Sequence, residues 1–179
     1  MLNIGAIVAG LVLGLVTGGS IANLARLQFR WPWLLVAAVV LRYALIISPL
    51  NRVEGAQYVY VLSLALIVLW TVWHIRLLPG VWLVTLGGLL NLLVVVANGG
   101  RMPVDPTLAG QFGGVLVQRG HVGQYTVMGP DTHLSLLGDW ISLRPLPEAY
   151  SPGDLLISIG IAAVILISLR RAPDSEVVP

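Results

Sequence analysis

The sequence predicts an all-α polytopic membrane protein: five transmembrane helices and a long outward loop carrying short surface helices. Three observations predict it. Of 179 residues, 57% are apolar and only 10% are charged, against about 25% charged in an ordinary soluble domain. Mean hydropathy is +0.90. So few charges cannot coat a soluble surface. Five stretches reach the length of about 20 apolar residues, within a range of about 17–25, that a spanning helix needs. The arginines and tryptophans sort to the ends of those stretches, as they do in membrane helices. Residues 1–179 read as one membrane domain.

The first span covers about residues 2–19. It has no basic region before its apolar run and no clear cleavage site after it, so it reads as retained rather than as a signal peptide. Ala6, Gly10, Gly14 and Gly18 recur every four residues along it. Such a small-xxx-small ridge lets another backbone approach closely, either an internal helix or another chain. The second span covers about 31–48, the third 57–75 and the fourth 80–97. Arg42 lies well inside the second, seven residues before Pro49, or about 10 Å below the helix end. Asn91, in the fourth, is a candidate for a hydrogen bond between helices. Asn98-Gly99 suits a C-cap with a left-handed backbone.

Residues 98–152 form the long extracytoplasmic loop. Asp105-Pro106 reads as an N-cap followed by Pro at the first helical position. Leu108, Phe112, Val115 and Leu116 would share one face of a surface helix ending at Arg119-Gly120. A second short helix is expected from Thr132 to Leu137, capped by Asp131. Arg144-Pro145-Leu146-Pro147 should be extended. Ser151-Pro152-Gly153-Asp154 then opens the fifth span, about 153–169, as a capping box with Asp in place of Glu.

Orientation follows from charge. Arg26 and Arg30, Arg76, and Arg170 with Arg171 fall on one side of a five-span chain, which the positive-inside rule makes the cytoplasm. Trp31, Trp33, Trp70, Trp73 and Trp82, five of the six tryptophans, mark that same interface. The expected location is the bacterial inner membrane, N-terminus out and C-terminus in.

The order Asn98-Gly99-Gly100-Arg101-Met102-Pro103, Tyr125-Thr126-Val127-Met128, Leu137-Gly138-Asp139-Trp140-Ile141 and Ser151-Pro152-Gly153-Asp154 resembles a bacterial family. Its members are small five-helix membrane proteins classified only as a domain of unknown function. Asn-Gly-Gly-x-Met-Pro and Gly-Asp-x-Ile are its most specific elements. Pro152 stands where an aliphatic residue is expected, and Ser142 where Pro is. The resemblance implies topology and no activity, cofactor or catalytic residue.

Composition excludes several chemistries. All ten basic residues are Arg, and there is no Cys. Disulfide scaffolds, Cys-ligated metals and Cys nucleophiles are therefore out. The pI near 9.4 does not indicate nucleic acid, because the arginines form no patch or stripe. No acid lies deep in a span, where proton-coupled pumps usually carry a relay. There is no phosphate-binding glycine loop and no Gly-x-Ser-x-Gly elbow.

Three functions remain. The leading expectation is a non-enzymatic accessory or scaffold subunit that packs against other membrane subunits or a second copy, favoured by the ridge of the first helix, the missing catalytic constellation and the small bundle. The second is a binder of a small anion or lipid at the outer face, with Arg42, Arg101, Asp139 and Asp154 lining one polar pocket. Arg42 has structural alternatives there: snorkelling of its long side chain, or an ion pair with Asp139 or Asp154. The third is a membrane enzyme using Asp131, His133 and Asp139; Asp131, His133 and His121 form the cluster that most resembles metal ligands. No cofactor is expected. His74 reads as an interfacial residue among Trp70, Trp73 and Trp82.

Overall fold

The computed structural model describes residues 1–27, 29–48, 53–109, 121–122, 124–144, 146 and 148–171. These form a mostly helical protein with six α-helices: α1 (Leu2–Val16), α2 (Ile21–Leu24), α3 (Pro32–Ile47), α4 (Ala56–His74), α5 (Val81–Ala97) and α6 (Pro152–Arg170). Two of them, α4 and α6 at 19 residues each, are long and apolar enough to cross a membrane. Helices α1, α3 and α5 are apolar but shorter, at 15, 16 and 17 residues.

The helices pack as a row in the order α1, α6, α5, α4, α3. The last helix in sequence thus sits between the first and the fourth long helix. Glycines make this possible. A Cβ on Gly10 would lie 2.9 Å from the Ala162 carbonyl oxygen, and one on Gly14 would collide with Leu169 Cδ1. On the other side of α6, a Cβ on Gly87 would collide with the Gly153 carbonyl oxygen, and one on Gly160 would lie 2.7 Å from the Val84 nitrogen. Close backbone approach of this kind drives helix association without a hydrophobic effect.

Apolar side chains occupy the outer faces of the helices as well as the core, where Leu64, Val68, Val94, Val95 and Leu169 are buried. Ile4, Val8 and Val12 on α1, Val36 and Val40 on α3, Leu62 and Leu69 on α4, and Leu89, Leu93 and Val96 on α5 are exposed. Ser63, Thr71, Thr85, Asn91, Ser158 and Ser168 are buried between helices. Ser63, Thr71 and Thr85 turn their hydroxyls back to carbonyls of their own helix, at 2.8, 2.8 and 3.1 Å, which satisfies them without a second chain.

The segment after α5 departs from the all-α expectation. Among the described residues it holds five short strands: β1 (Met102–Val104), β2 (His121–Val122), β3 (Tyr125–Val127), β4 (Ile141–Ser142) and β5 (Ala149–Tyr150). Strand β1 pairs parallel with β3, β2 pairs antiparallel with β3, and β4 pairs antiparallel with β5. The expected surface helix after Asp105 lies mostly outside the described residues. Its described start is a turn in which the Asp105 carboxylate accepts from the Thr107 nitrogen at 2.8 Å. The helix expected over Thr132–Leu137 is cut to a single 3-10 turn, Ser135–Leu137. Leu134 takes a left-handed backbone, φ 53°, which breaks any longer run. Asp131 caps nothing there. The loop rests on the ends of α5 and α6.

Gly18 is a second departure. Helix α1 stops at Val16, and Gly18 turns the chain with φ 86° and open space around it. The packing ridge therefore consists of Gly10 and Gly14, with Ala6 half-buried one turn earlier. Gly19 continues the contact in place of Gly18, since a Cβ there would lie 2.8 Å from Leu169 Cβ.

Candidate functional site

A cavity of about 820 Å³ lies among α3, α4, α5, α6 and the start of α1. Its walls are apolar along most of its length. Its end nearest the loop is polar, and there the structure collects Arg42, Tyr60, Asn91, Tyr125, Asp139 and Asp154.

Arg42 comes from α3. Its guanidinium carbon stands 5.0 Å from the Tyr60 ring centroid, a cation–π contact supplied by the neighbouring α4. The expected ion pair with Asp139 or Asp154 is not formed. Among the described residues, the one ion pair within 4.0 Å joins the N-terminal ammonium of Met1 to Glu148, at 2.9 Å. Arg42 thus meets the cavity with a charge no carboxylate directly neutralises.

Asp154 sits at the third position of α6 and is fully engaged. Its Oδ2 accepts from the Ser151 nitrogen at 3.2 Å, and the Ser151 hydroxyl accepts from the Asp154 nitrogen at 3.0 Å. This is the capping box read from the sequence. Its Oδ1 accepts from Asn91 Nδ2 at 2.9 Å, while Ser151 Oγ donates to Asn91 Oδ1 at 2.8 Å. The helix N-terminus and the amide together hold the negative charge.

Asp139 is held differently. The chain beside it is pinned to β1: the Asp139 nitrogen donates to the Pro103 carbonyl at 2.8 Å, and the Asp105 nitrogen donates to the Asp139 carbonyl at 2.9 Å. Gly138 allows that approach, because a Cβ there would lie 2.6 Å from the Pro103 oxygen. The Asp139 side chain is left 4% exposed, and its Oδ1 has no hydrogen-bond partner. Burial, and then the nearby Asp154 carboxylate, push its carboxyl well above the usual range, with Arg42 acting in the opposite direction. Burial and then Asp139 push Tyr125 up to about 12. The Tyr125 hydroxyl is hydrogen-bonded with the Gln124 side chain.

The other expected site residues lie elsewhere. Arg101 does not reach the cavity. It follows the α5 cap, where Gly99 and Gly100 take φ of 66° and 86°, and its Nε is buried without a partner. Asp131 and His133 are exposed on the turn before the 3-10 segment and do not line the cavity. His133 serves the C-cap of α5 through its backbone: its nitrogen donates to Asn98 Oδ1 at 3.0 Å, and its carbonyl accepts from Asn98 Nδ2 at 2.8 Å. Among the described residues, no group of three His, Cys, Asp or Glu has a metal-holding arrangement. The side chain of His121 lies outside the described residues.

At the opposite end of the bundle, His74 is 1% exposed. Its Nε2 accepts from the Arg30 nitrogen at 3.0 Å, and its Nδ1 lies 2.7 Å from the Trp70 carbonyl oxygen. A backbone N–H donates only to an unprotonated ring nitrogen, so the geometry assigns the Nδ1–H form. Trp70 Nε1 closes the loop by donating to the Arg30 carbonyl at 3.0 Å. His74 is thus a bracket for the α2–α3 connection rather than a surface residue of the aromatic girdle.

Sequence reasoning missed Tyr60, Gln124 and Tyr125. A tyrosine one turn inside an apolar run was the available sign for Tyr60, since a buried phenol needs a polar neighbour.

No solved structure matches the chain. A protein of Thermotoga maritima, described only as uncharacterized, is 26% identical over 173 residues, covering 94% of this chain and 93% of its own. The model of a family of unknown function, DUF5317, matches residues 26–166. That match takes in the Arg42 helix, the strands around Asp139 and the capped start of α6, so the chain belongs to the DUF5317 family.

Proposed function

We propose that this protein is a non-enzymatic, five-span protein of the bacterial inner membrane, N-terminus out and C-terminus in, that binds an amphiphile between its helices. The observation that carries the proposal is the cavity of about 820 Å³ that joins apolar walls to an Arg42 without a carboxylate partner. Its size falls in the range of about 300–1,000 Å³ typical of small-molecule sites.

The apolar outer faces of the helices and the buried hydroxyls that bond within the chain support the membrane setting, because lipid rewards both. Helix α1 spans about 22 Å at 1.5 Å per residue, short of a hydrocarbon core of about 30 Å. Local thinning and snorkelling accommodate such mismatch at modest cost. Aromatic pairing supports a common interface for the tryptophan-rich end: the rings of Trp31 and Trp73 are 5.1 Å apart and those of Phe29 and Trp70 are 6.1 Å apart.

One support for an accessory or scaffold role was the ridge of α1. Gly10 and Gly14 are covered by α6 of the same chain, so that ridge offers no free face to another subunit or a second copy. Amphiphile binding therefore takes precedence.

The test is native mass spectrometry of the full chain released from nanodiscs made with its host's lipids. The expected result is one retained amphiphile per chain, lost in Ile67→Trp, which narrows the cavity from the α4 side. A chain that emerges empty under conditions that keep it folded refutes the reading.

A further inference from the structure

The polar end of the cavity discriminates among headgroups. Arg42, Asp139 and Asp154 meet there, and their free valences differ. Asp154 spends both carboxylate oxygens on Asn91 and Ser151. Arg42 has the Tyr60 ring and no carboxylate within 4.0 Å. Asp139 is buried with Oδ1 unpartnered. A buried polar atom without a partner calls for one. The cavity thus offers a guanidinium and a carboxyl, both unspent, to whatever enters it.

The geometry points to a single-chain amphiphile with a carboxylate head, a long-chain fatty acid, held between the Arg42 guanidinium and the Asp139 carboxyl. This inference rests on the amphiphile-binding reading above and names its substrate class.

A carboxylate has two oxygens and accepts only. One oxygen takes N–H donors from Arg42 in a charge-assisted bond. The other takes the proton that Asp139 retains, since burial and Asp154 both favour its neutral form. Two carboxyl groups sharing one proton are stable where two ionised ones are not. A neutral alcohol head would leave the Arg42 charge unanswered. The apolar walls come from α3, α4 and α5 and, along α6, from Ile157, Ile161 and Val164. From Asp154 to Val164 that wall runs about 15 Å, the depth of one leaflet of a core of about 30 Å. Tyr43, Tyr60, Tyr125, Tyr150, Glu148 and the Met1 ammonium also line the cavity, and Glu148 is already paired with Met1.

The experiment measures binding of palmitate, hexadecanol and palmitoyl lysophosphatidylglycerol to the full chain in nanodiscs. Palmitate is expected to bind at one per chain and at least about tenfold more tightly than hexadecanol, the size of one charge-assisted bond. Arg42→Gln should remove that preference by weakening palmitate alone. Asp139→Leu should weaken palmitate about tenfold, and Asp139→Asn, which keeps a donor, should recover part of the loss. Arg76→Gln, exposed at the opposite end, should change nothing.

Equal binding of palmitate and hexadecanol overturns the carboxylate assignment and leaves amphiphile binding standing. Tighter binding of the lysophospholipid than of palmitate overturns it in favour of a phosphate head. Failure of all three to bind refutes the parent reading instead. The comparison of ligands on the unaltered chain decides the matter even if a variant does not fold.

Discussion

Asn91 on α5 donates through Nδ2 to Asp154 on α6 across 2.9 Å, and accepts at Oδ1 from Ser151 across 2.8 Å. One amide therefore joins a mid-bundle helix to the capping box that starts the last helix. It also sets the spacing between the two: a Cβ on Gly153 would collide with Asn91 Oδ1. The loop containing Asp139 is tied to this junction, because it packs on the ends of α5 and α6.

Asn91→Ala should destabilise the chain by about 1–3 kcal/mol, the cost of leaving buried polar partners unsatisfied. The Ser151 hydroxyl loses its acceptor and Asp154 Oδ1 loses its donor. The thermal midpoint in detergent checks it. A midpoint unchanged from that of the parent chain removes the network from the account of stability.

Gly14→Leu should disrupt α1–α6 packing without changing the mass of the particle. Its side chain would have to displace Leu169, and overpacking of this kind costs about 1–3 kcal/mol. Leu169→Ala in the same chain should relieve part of the loss, since contacting residues couple in a double-mutant cycle. Strict additivity of the two changes, or a shift in oligomeric mass with retained folding, would return the ridge to an interface between chains.

What the sequence made legible divides by range. The Ser151-Pro152-Gly153-Asp154 cap could be read because every bond in it lies within three residues. Gly10 and Gly14 could be read as a close-packing stripe, but that its occupant was α6, more than a hundred residues away, could not. The same holds for Arg42, which stands out as a charge inside an apolar run while its neighbour Tyr60 and its cavity mate Asp139 arrive from other elements. Strands β1 and β3 carry three residues each, too few for a period of two to register. Gly18 continued a numerical pattern that the backbone abandons at Val16.

Asp139 should make stability depend on pH in a defined direction. Its carboxyl titrates near about 3.9 in an unfolded chain. In the folded chain burial, and then Asp154, push it well above that. The folded state therefore keeps the proton to higher pH. This contribution is fully present below about pH 3.9 and is lost as pH rises through the folded value. The melting midpoint of the parent chain should fall relative to that of Asp139→Asn as pH is raised from about 4 to 8. Parallel curves for the two chains across that window contradict the burial argument.

His74→Ala should loosen the connection between α2 and α3. The Arg30 nitrogen loses its acceptor, and Trp70 loses the ring stacked 3.9 Å from its own. A destabilisation of about 1–3 kcal/mol is expected. Trp70 fluorescence should shift to longer wavelength as water reaches the indole. His74→Gln keeps an acceptor and should retain more of the stability than alanine does. Equal losses in the two variants would assign the effect to packing alone.

Topology can be tested on this chain without removing any native thiol, because it contains no cysteine. Asp131 lies in the loop that the five-span arrangement puts outside, and Arg76 lies between α4 and α5, on the expected cytoplasmic side. Both side chains are exposed, so a thiol at either position should react when reagent reaches it. In intact cells stripped of their outer membrane, a membrane-impermeant maleimide should label Asp131→Cys at once. It should label Arg76→Cys only after the membrane is opened. Five crossings with the N-terminus outside require that pair of results. The reverse order inverts the protein in the membrane, and labelling of both sites before opening means that α4 and the helices beside it do not separate the two compartments.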